Sequence, residues 1–356
     1  RSLMDGSTVL DYVPGEAFSS RTVGTGSSVG TLPAVPIPEL EISQNGGVSL
    51  AGDSAPVLSV GTSDGVQIKS LSITGGTNGV LVAQNNVTNL LIEGNTIGRR
   101  PSGALSRASS SSSGAGSGVQ FGSVASSACT AVSGISATVR GNSITGAAQG
   151  AMNCVTGLTV GNLVYEGNTF HEISGGNGLV LSPFPSAAVA TQNLVLRNNS
   201  FASAAFYGLR LSTPPGTGSG HQIVGNEFTD NRGSALSLAN GTGSAVSTTS
   251  GATLVQGNTF DASGNSAGTG AGVQIDSAAS LQRIQITQNR FGSNAGPSID
   301  LNGNGVSTGT GCAADASGQA NGNLGRPVLS TVRRVGATSL SVTGTLCDND
   351  GTYTLE

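Results

Sequence analysis

A short motif, asparagine followed by any residue and then isoleucine or phenylalanine, recurs along this chain. From Asn142 onward successive copies lie 26, 31, 27, 32 and 31 residues apart. The seven asparagines are Asn95, Asn142, Asn168, Asn199, Asn226, Asn258 and Asn289. A unit of this length cannot bury an apolar face alone, so neighbouring units must stack to share one core.

Short strand signals surround each asparagine. An alternating apolar segment precedes it, as in Leu163 to Glu166, and a second usually follows behind a glycine, as in Gly178 to Leu181. Alternation with a period of two is typical of strands, whereas helical repeats need longer runs with a period of 3.6. The pattern therefore predicts an all-β solenoid, a parallel β-helix of about eight to ten coils.

The recurrent asparagine has a structural explanation. A coil corner favours a residue that tolerates left-handed backbone geometry, which asparagine does. Stacked amides are able to hydrogen-bond from coil to coil, and the phenylalanine two residues later predicts a stack of rings inside. We therefore interpret the seven asparagines as a structural ladder and not as a ligand site.

The repeat also sets the expected boundaries. Residues 41–310 are predicted to form the β-helix, after an irregular N-terminal extension or cap at 1–40. A strand-rich β segment at 311–356 is predicted to follow. Stretches rich in small polar residues predict loop insertions near 102–118, 212–220 and 240–251.

Two C-terminal stretches carry a resemblance to a known family. They are the segment Ser298 to Val306, with the sequence SIDLNGNGV, and the strand-like segments from Arg326 to Leu355. With the repeats, these make the chain resemble the right-handed parallel β-helix superfamily, whose best-known members are pectate lyases. The likeness is closest to the β-helix repeat segments of very large bacterial surface proteins and covers roughly residues 40–356. It implies a right-handed fold but no single function, because the fold carries enzymes and adhesins alike.

The charge pattern excludes some classes of partner. Charged residues make up 10% of the chain, the formal net charge is -4, and Lys69 is the sole lysine. Without a basic run, binding to nucleic acid or anionic lipid is not expected. No apolar stretch approaches the ~20 residues of a membrane-spanning helix, so membrane insertion is not expected.

The four cysteines form two local couples, Cys129 with Cys154 and Cys312 with Cys347. An even number fits a disulfide framework, although four cysteines allow three connectivities and free buried thiols remain the alternative. Disulfides persist in oxidising compartments, so we expect an extracellular or bacterial cell-surface location.

Candidate catalytic groups do not converge along the sequence. The most charged outward column reads Glu93, Arg140, Glu166 and Arg197, and its alternating signs favour a ladder of ion pairs over an acid–base site. The two histidines, His171 and His221, fall on different coils. No catalytic residue is therefore predicted.

One motif resembles a calcium ligand set. Asp300, Asn302 and Asn304 alternate before a glycine, like the first half of a calcium loop. The twelfth position holds Gly311 instead of a bidentate acid, which excludes an EF-hand. Turn chemistry explains the motif without an ion, so no cofactor is predicted, with calcium at these three residues as the alternative.

Two functional hypotheses follow. The first is a non-catalytic structural or adhesive scaffold of a bacterial cell surface or extracellular fibre. It would associate end to end through its open strand edges and have a surface glycan or protein as a further partner. The second is a polysaccharide lyase or glycoside hydrolase acting in a groove lined by the long loops, which would require two carboxylates close together.

Overall fold

The computed structural model shows a rod of stacked coils. The structure describes residues 3–5, 16–18, 20–36, 38, 40–43, 55–99, 116–125, 128–156, 162–181, 193–212, 220–239, 252–264, 270–276, 284–301, 325–337 and 339–347. Three parallel sheets of nine strands each run along the rod, so each coil contributes one strand to each sheet. The predicted all-β parallel β-helix is confirmed, and the nine coils fall within the predicted number.

The three sheets are named here in the order in which each coil visits them. Sheet A consists of Leu3–Asp5, Gln67–Lys69, Leu90–Glu93, Ala137–Arg140, Leu163–Glu166, Leu194–Arg197, Gln222–Val224, Thr253–Gln256 and Ile284–Thr287. Sheet B consists of Glu41–Ser43, Ser72–Thr74, Thr96–Ile97, Ser143–Thr145, Thr169–His171, Ser200–Ala202, Glu227–Thr229, Thr259–Asp261 and Arg290–Phe291. Sheet C consists of Leu58–Val60, Asn78–Val82, Ser117–Phe121, Gln149–Asn153, Leu179–Leu181, Leu209–Leu211, Leu236–Leu238, Val273–Ile275 and Ile299–Leu301.

Shorter elements lie outside the three sheets. Parallel pairing joins Ser63–Asp64 to Val87–Thr88. Four antiparallel pairs are Glu16–Phe18 with Val35–Pro36, Arg21–Val23 with Gly30–Leu32, Ser123–Ala125 with Ala128–Thr130, and Gly325–Arg334 with Leu340–Cys347. The one helical turn in the described residues is the 3-10 helix Gly26–Ser28. No helix in the described part of the chain is long and apolar enough to span a membrane.

The core is a single apolar column inside the rod. Sheet B contributes Phe170, Phe201, Phe228, Phe260 and Phe291, whose rings stack with successive centroid distances of 4.8, 4.9, 5.0 and 5.2 Å. These spacings match the separation of paired strands, about 4.8 Å, because each coil adds one ring directly above the last. The predicted stack of rings is therefore present.

Parts of the segment predicted as an N-terminal extension or cap, residues 1–40, pack onto the rod. Leu3–Asp5 pairs in parallel with Gln67–Lys69, so the first strand of sheet A comes from this segment. Residues 20–36, called the strap below, fold into a hairpin that lies along the side of the rod. Val23, Leu32 and Val35 of the strap are buried. The sequence shows the repeat pattern alone. Neither the pairing of Leu3–Asp5 nor the packing of the strap follows from that pattern.

Candidate functional site

The seven repeat asparagines form one continuous hydrogen-bonded column at the corner between sheets A and B. For each asparagine from Asn95 to Asn258, both the backbone N–H and the side-chain Nδ2 donate to Oδ1 of the next asparagine. The backbone bonds measure 2.8–3.1 Å and the amide bonds 2.9–3.0 Å. A second Nδ2 bond runs to the coil before, as from Asn199 to the Tyr165 carbonyl at 2.9 Å. Each amide thus ties three coils together.

The left-handed residue of this corner is the one before the ladder asparagine, which corrects the expected division of roles. Gly94, Gly141, Gly167, Asn198, Gly225, Gly257 and Gln288 have φ values between +54° and +65°. No ladder asparagine has a positive φ. The turn places the preceding residue in the left-handed region, which glycine adopts without steric cost, and the asparagine directs its amide along the rod.

The strap covers this corner over several coils. At its tip the Thr25 N–H donates to the Gly257 carbonyl at 2.7 Å, and the Ser27 hydroxyl donates to Gln288 Oε1 at 2.9 Å. Farther back, Arg21 forms an ion pair with Glu227 and donates to the Ser200 hydroxyl at 2.8 Å. The strap therefore binds coils that lie more than 170 residues away in the sequence.

Where the strap crosses the corner, a glycine on one side faces a larger group on the other. A Cβ atom added at Gly257 would lie 2.8 Å from the Thr25 carbonyl oxygen, and one added at Gly167 would lie 2.8 Å from Pro33 Cδ. Where the corner instead carries the side chain of Asn198, the strap has Gly30, and a Cβ there would collide with that side chain. At each of these three contacts, one of the two facing positions is a glycine and leaves room for the other.

The outward charged column of sheet A is an ion-pair ladder. Glu93 accepts from Arg140 at 2.6 Å and lies 3.3 Å from the Lys69 ammonium. Arg197 Nε lies 3.0 Å from Glu166. The two basic neighbours lower the pKa of the Glu93 carboxyl, against the opposing effect of its partial burial. These carboxylates are engaged between coils, as the alternating signs predicted.

The outward column of sheet C is largely buried. Gln120, Val180 and Ser237 are each at most 3% exposed, although their side chains point away from the core. Arg210 stands in the same column with its guanidinium 5.4 Å from the centre of the Tyr207 ring. Sequence periodicity gives the direction of a side chain but not whether another segment covers it.

A disulfide joins Cys129 to Cys154, with an S–S distance of 2.06 Å. It connects the hairpin Ser123–Thr130 to the residue that follows the sheet C strand Gln149–Asn153. The predicted pairing of these two cysteines is present. The other predicted pairing lies partly outside the described residues, because Cys312 is not among them.

The two histidines occupy separate buried positions. His171 Nε2 lies 3.3 Å from the Ser143 hydroxyl and Nδ1 lies 3.8 Å from Glu172, which pairs with Arg99 at 2.9 Å. Burial first, and then the nearby Arg99 charge, lower the pKa of His171 to about 4. Ser143 is fully buried in a recurrent column of small hydroxyl residues, so packing explains the contact. Just before the sheet A strand Gln222–Val224, His221 Nδ1 accepts from the Leu194 N–H at 3.2 Å.

The calcium-like motif is described only in part. Asp300 is 7% exposed and pairs in register with Gln274 of the preceding coil, while Asn302 and Asn304 lie outside the described residues. Within the described ranges no group of three His, Cys, Asp or Glu side chains could hold a metal ion. Calcium at this motif stays an alternative, and the prediction of no cofactor stays a prediction.

Comparison with known proteins agrees with this geometry. Residues 187–325 match the family model of the right handed beta helix region. No curated protein matches the chain. The three nine-stranded parallel sheets extend the same architecture over earlier coils that the family match does not cover. The family match over residues 187–325 and the stacked sheets together show that the fold is a right-handed parallel β-helix.

Proposed function

We propose that this chain is a non-catalytic structural or adhesive scaffold of a bacterial cell surface or extracellular fibre. The engagement of its acidic side chains carries the proposal. Glu93, Glu166, Glu172 and Glu227 each form an ion pair with arginine. A hydrolytic or lyase site needs carboxylates free to exchange protons or bind a metal, and these four instead tie coils and covering segments together.

The disulfide supports the proposed location. Cys129 and Cys154 form a bond that the reducing cytosol does not favour. The disulfide also lowers the conformational entropy of the unfolded chain, which stabilises the fold. Added stability suits a rod outside the cell, where proteases act on unfolded chains. Both properties suit an extracellular scaffold.

The last coil supports association between copies. Ile299 points inward, in register with Val273 of the coil before, yet it is 40% exposed while Val273 is fully buried. Phe291 ends the ring stack and is half-buried. Apolar interior surface at the end of a solenoid favours a second apolar end, and unpaired strand edges favour strand addition. We therefore propose head-to-tail contact between copies.

Sedimentation velocity over a wide range of protein concentration tests the assembly. We expect a concentration-dependent series of elongated species that Ile299→Lys abolishes. Phe206→Lys is the matched control, because Phe206 is 57% exposed on the side of the rod and not at its end. A monomer at every concentration, or equal loss in both variants, would contradict head-to-tail contact.

A second experiment tests the absence of catalysis. The purified chain is incubated with polygalacturonate, alginate and xylan, and both unsaturated products and new reducing ends are measured. We expect neither to rise above the level of a heat-denatured sample. Turnover of any of the three would replace the scaffold with the carbohydrate-active alternative.

A further inference from the structure

A cleft of about 520 Å³ opens on the opposite edge of the rod, where coils pass from sheet C to sheet A. Three outward residues of sheet A on successive coils line it, Gln67, Leu91 and Thr138, which stand in register. Two coil steps make this surface about 10 Å long. The volume falls within the range of small-ligand pockets.

The wall of the cleft is a pre-ordered turn. Asp64 Oδ1 accepts from the Thr88 hydroxyl at 2.7 Å and from Asn89 Nδ2 at 2.8 Å. The backbone joins the same turns, since the Gly65 N–H donates to the Thr88 carbonyl at 2.9 Å. A fixed carboxylate loses little freedom when it binds a ligand, so its hydrogen bonds contribute more to affinity.

Several polar groups of the cleft have no hydrogen-bond partner among the residues that the structure describes. Both hydrogen bonds to Asp64 end on Oδ1, and its Oδ2 makes none in the described part of the chain. In the described part of the chain, the side chains of Gln67, Ser136 and Thr138 make no hydrogen bond. A carboxylate, an amide and two hydroxyls therefore surround the half-buried side chain of Leu91.

We infer that this cleft binds a neutral saccharide of about two units, a further binding site on the scaffold. The carboxylate accepts from vicinal hydroxyls, the amide and hydroxyls both donate and accept, and Leu91 packs against the C–H face of a sugar ring. This inference rests on the adhesive part of the proposed function. It does not depend on head-to-tail contact, which uses the end of the rod.

The charge of the cleft selects against acidic sugars. Among the described residues that line it, Asp64 is the one charged residue. Lys69, two residues beyond Gln67 on the same strand, is paired with Glu93. The carboxylate of a uronic acid would therefore lie beside Asp64 without a cation to offset the repulsion. A cation is also disfavoured, because one carboxylate is a poor ligand set for a metal.

Isothermal titration of the whole chain with cellobiose, maltose, lactose and digalacturonate tests the site. We expect one or more neutral disaccharides to bind, and digalacturonate to bind at least tenfold more weakly. Asp64→Asn and Gln67→Ala should each weaken binding at least tenfold. Gln222→Ala is the matched control, because Gln222 has the same outward position on sheet A three coils beyond the cleft and should leave binding unchanged.

Each contrary result has a distinct meaning. Lack of binding by all the neutral disaccharides at tens of millimolar overturns the saccharide site, as does equal loss of affinity in Gln67→Ala and Gln222→Ala. Preference for digalacturonate also overturns it. Circular dichroism and sedimentation of the same variants separate these outcomes from misfolding and from a failure of assembly, so the site and the scaffold are tested independently.

Discussion

The two edges that flank sheet A differ in what they do for the rod. The edge toward sheet B repeats one geometry in coil after coil, with a left-handed residue, a buried asparagine and the strap across them. The edge toward sheet C changes from coil to coil and carries the cleft and the disulfide-linked hairpin. We call the first the uniform edge and the second the variable edge. We expect stability to be concentrated on the uniform edge, and binding surface to arise on the variable edge.

The largest expected difference between the edges is the unfolding free energy lost when one asparagine of each edge is replaced by alanine. Asn199→Ala leaves the Asn168 N–H and one Asn168 amide hydrogen buried without their acceptor and removes one bond to the Tyr165 carbonyl, which should cost about 3–5 kcal/mol of unfolding free energy. Asn85→Ala at the variable edge removes an exposed 2.8 Å bond to the Ser133 N–H and should cost under about 1 kcal/mol. Urea unfolding followed by circular dichroism measures both. Equal costs would contradict the contrast.

The contribution of the strap is the next largest. Gly257→Ala places a methyl group in a left-handed turn and against the strap, which together should cost about 3 kcal/mol. Gly94 is the matched control, with φ +63° against +60°, because a Cβ there would meet only Ser70 Oγ at 3.8 Å. Gly94→Ala should therefore show the backbone cost alone, about 1–2 kcal/mol. Equal melting temperatures in the two variants would show that the strap contributes nothing.

Acid should lower the free energy of unfolding through the buried His171 of sheet B. Its pKa is about 4 in the folded chain, below its ordinary value of 6.5, so the unfolded chain binds the proton more readily. Stability is thus retained above pH 6.5 and lost as the pH falls toward 4. Between pH 7 and pH 5 the loss should be about 2 kcal/mol. Urea unfolding at both pH values measures this loss. Between pH 7 and pH 5 the variant His171→Gln should lose about 2 kcal/mol less unfolding free energy than the unmodified chain, and identical pH profiles would disprove the effect.

The smallest effect is expected from the exposed ion pairs. Arg197 and Glu166 have side chains 50% and 36% exposed. Arg197→Ala should therefore cost about 0.5 kcal/mol, and 1 M salt should remove the difference by screening. Unfolding of both chains at low and high salt measures this, and a cost above about 2 kcal/mol would indicate that the ladder carries more stability than its exposure allows.

The sequence predicts the uniform edge better than the variable one, for a physical reason. Asn168 and Phe170 recur in every later coil with equivalent neighbours, so spacing alone reveals the stack and the ring column. The glycine before the asparagine, as at Gly141 and Gly167, was a further visible signal of the left-handed turn. It could also have corrected the role first given to the asparagine itself.

The strap and the cleft have no such signal. Thr25 meets Gly257 across more than two hundred residues, and nothing repeats in the strap that could mark the contact. Asp64 belongs to a turn whose length differs from coil to coil, so its place in the same cleft as Thr138 depends on how the earlier coils stack. Contacts that depend on tertiary packing are visible only in the folded chain, so the sequence does not predict them.

Native-state hydrogen exchange resolved by residue tests the contrast between the two edges most directly. The backbone amides of Asn142, Asn168 and Asn199 donate to buried side-chain oxygens and should exchange only when the rod unfolds globally. The amides of Gly65 and Ser133 at the variable edge should exchange through local opening, with protection lower by at least a hundredfold. Equal protection at the two edges, or fast exchange along the asparagine ladder, would contradict the account.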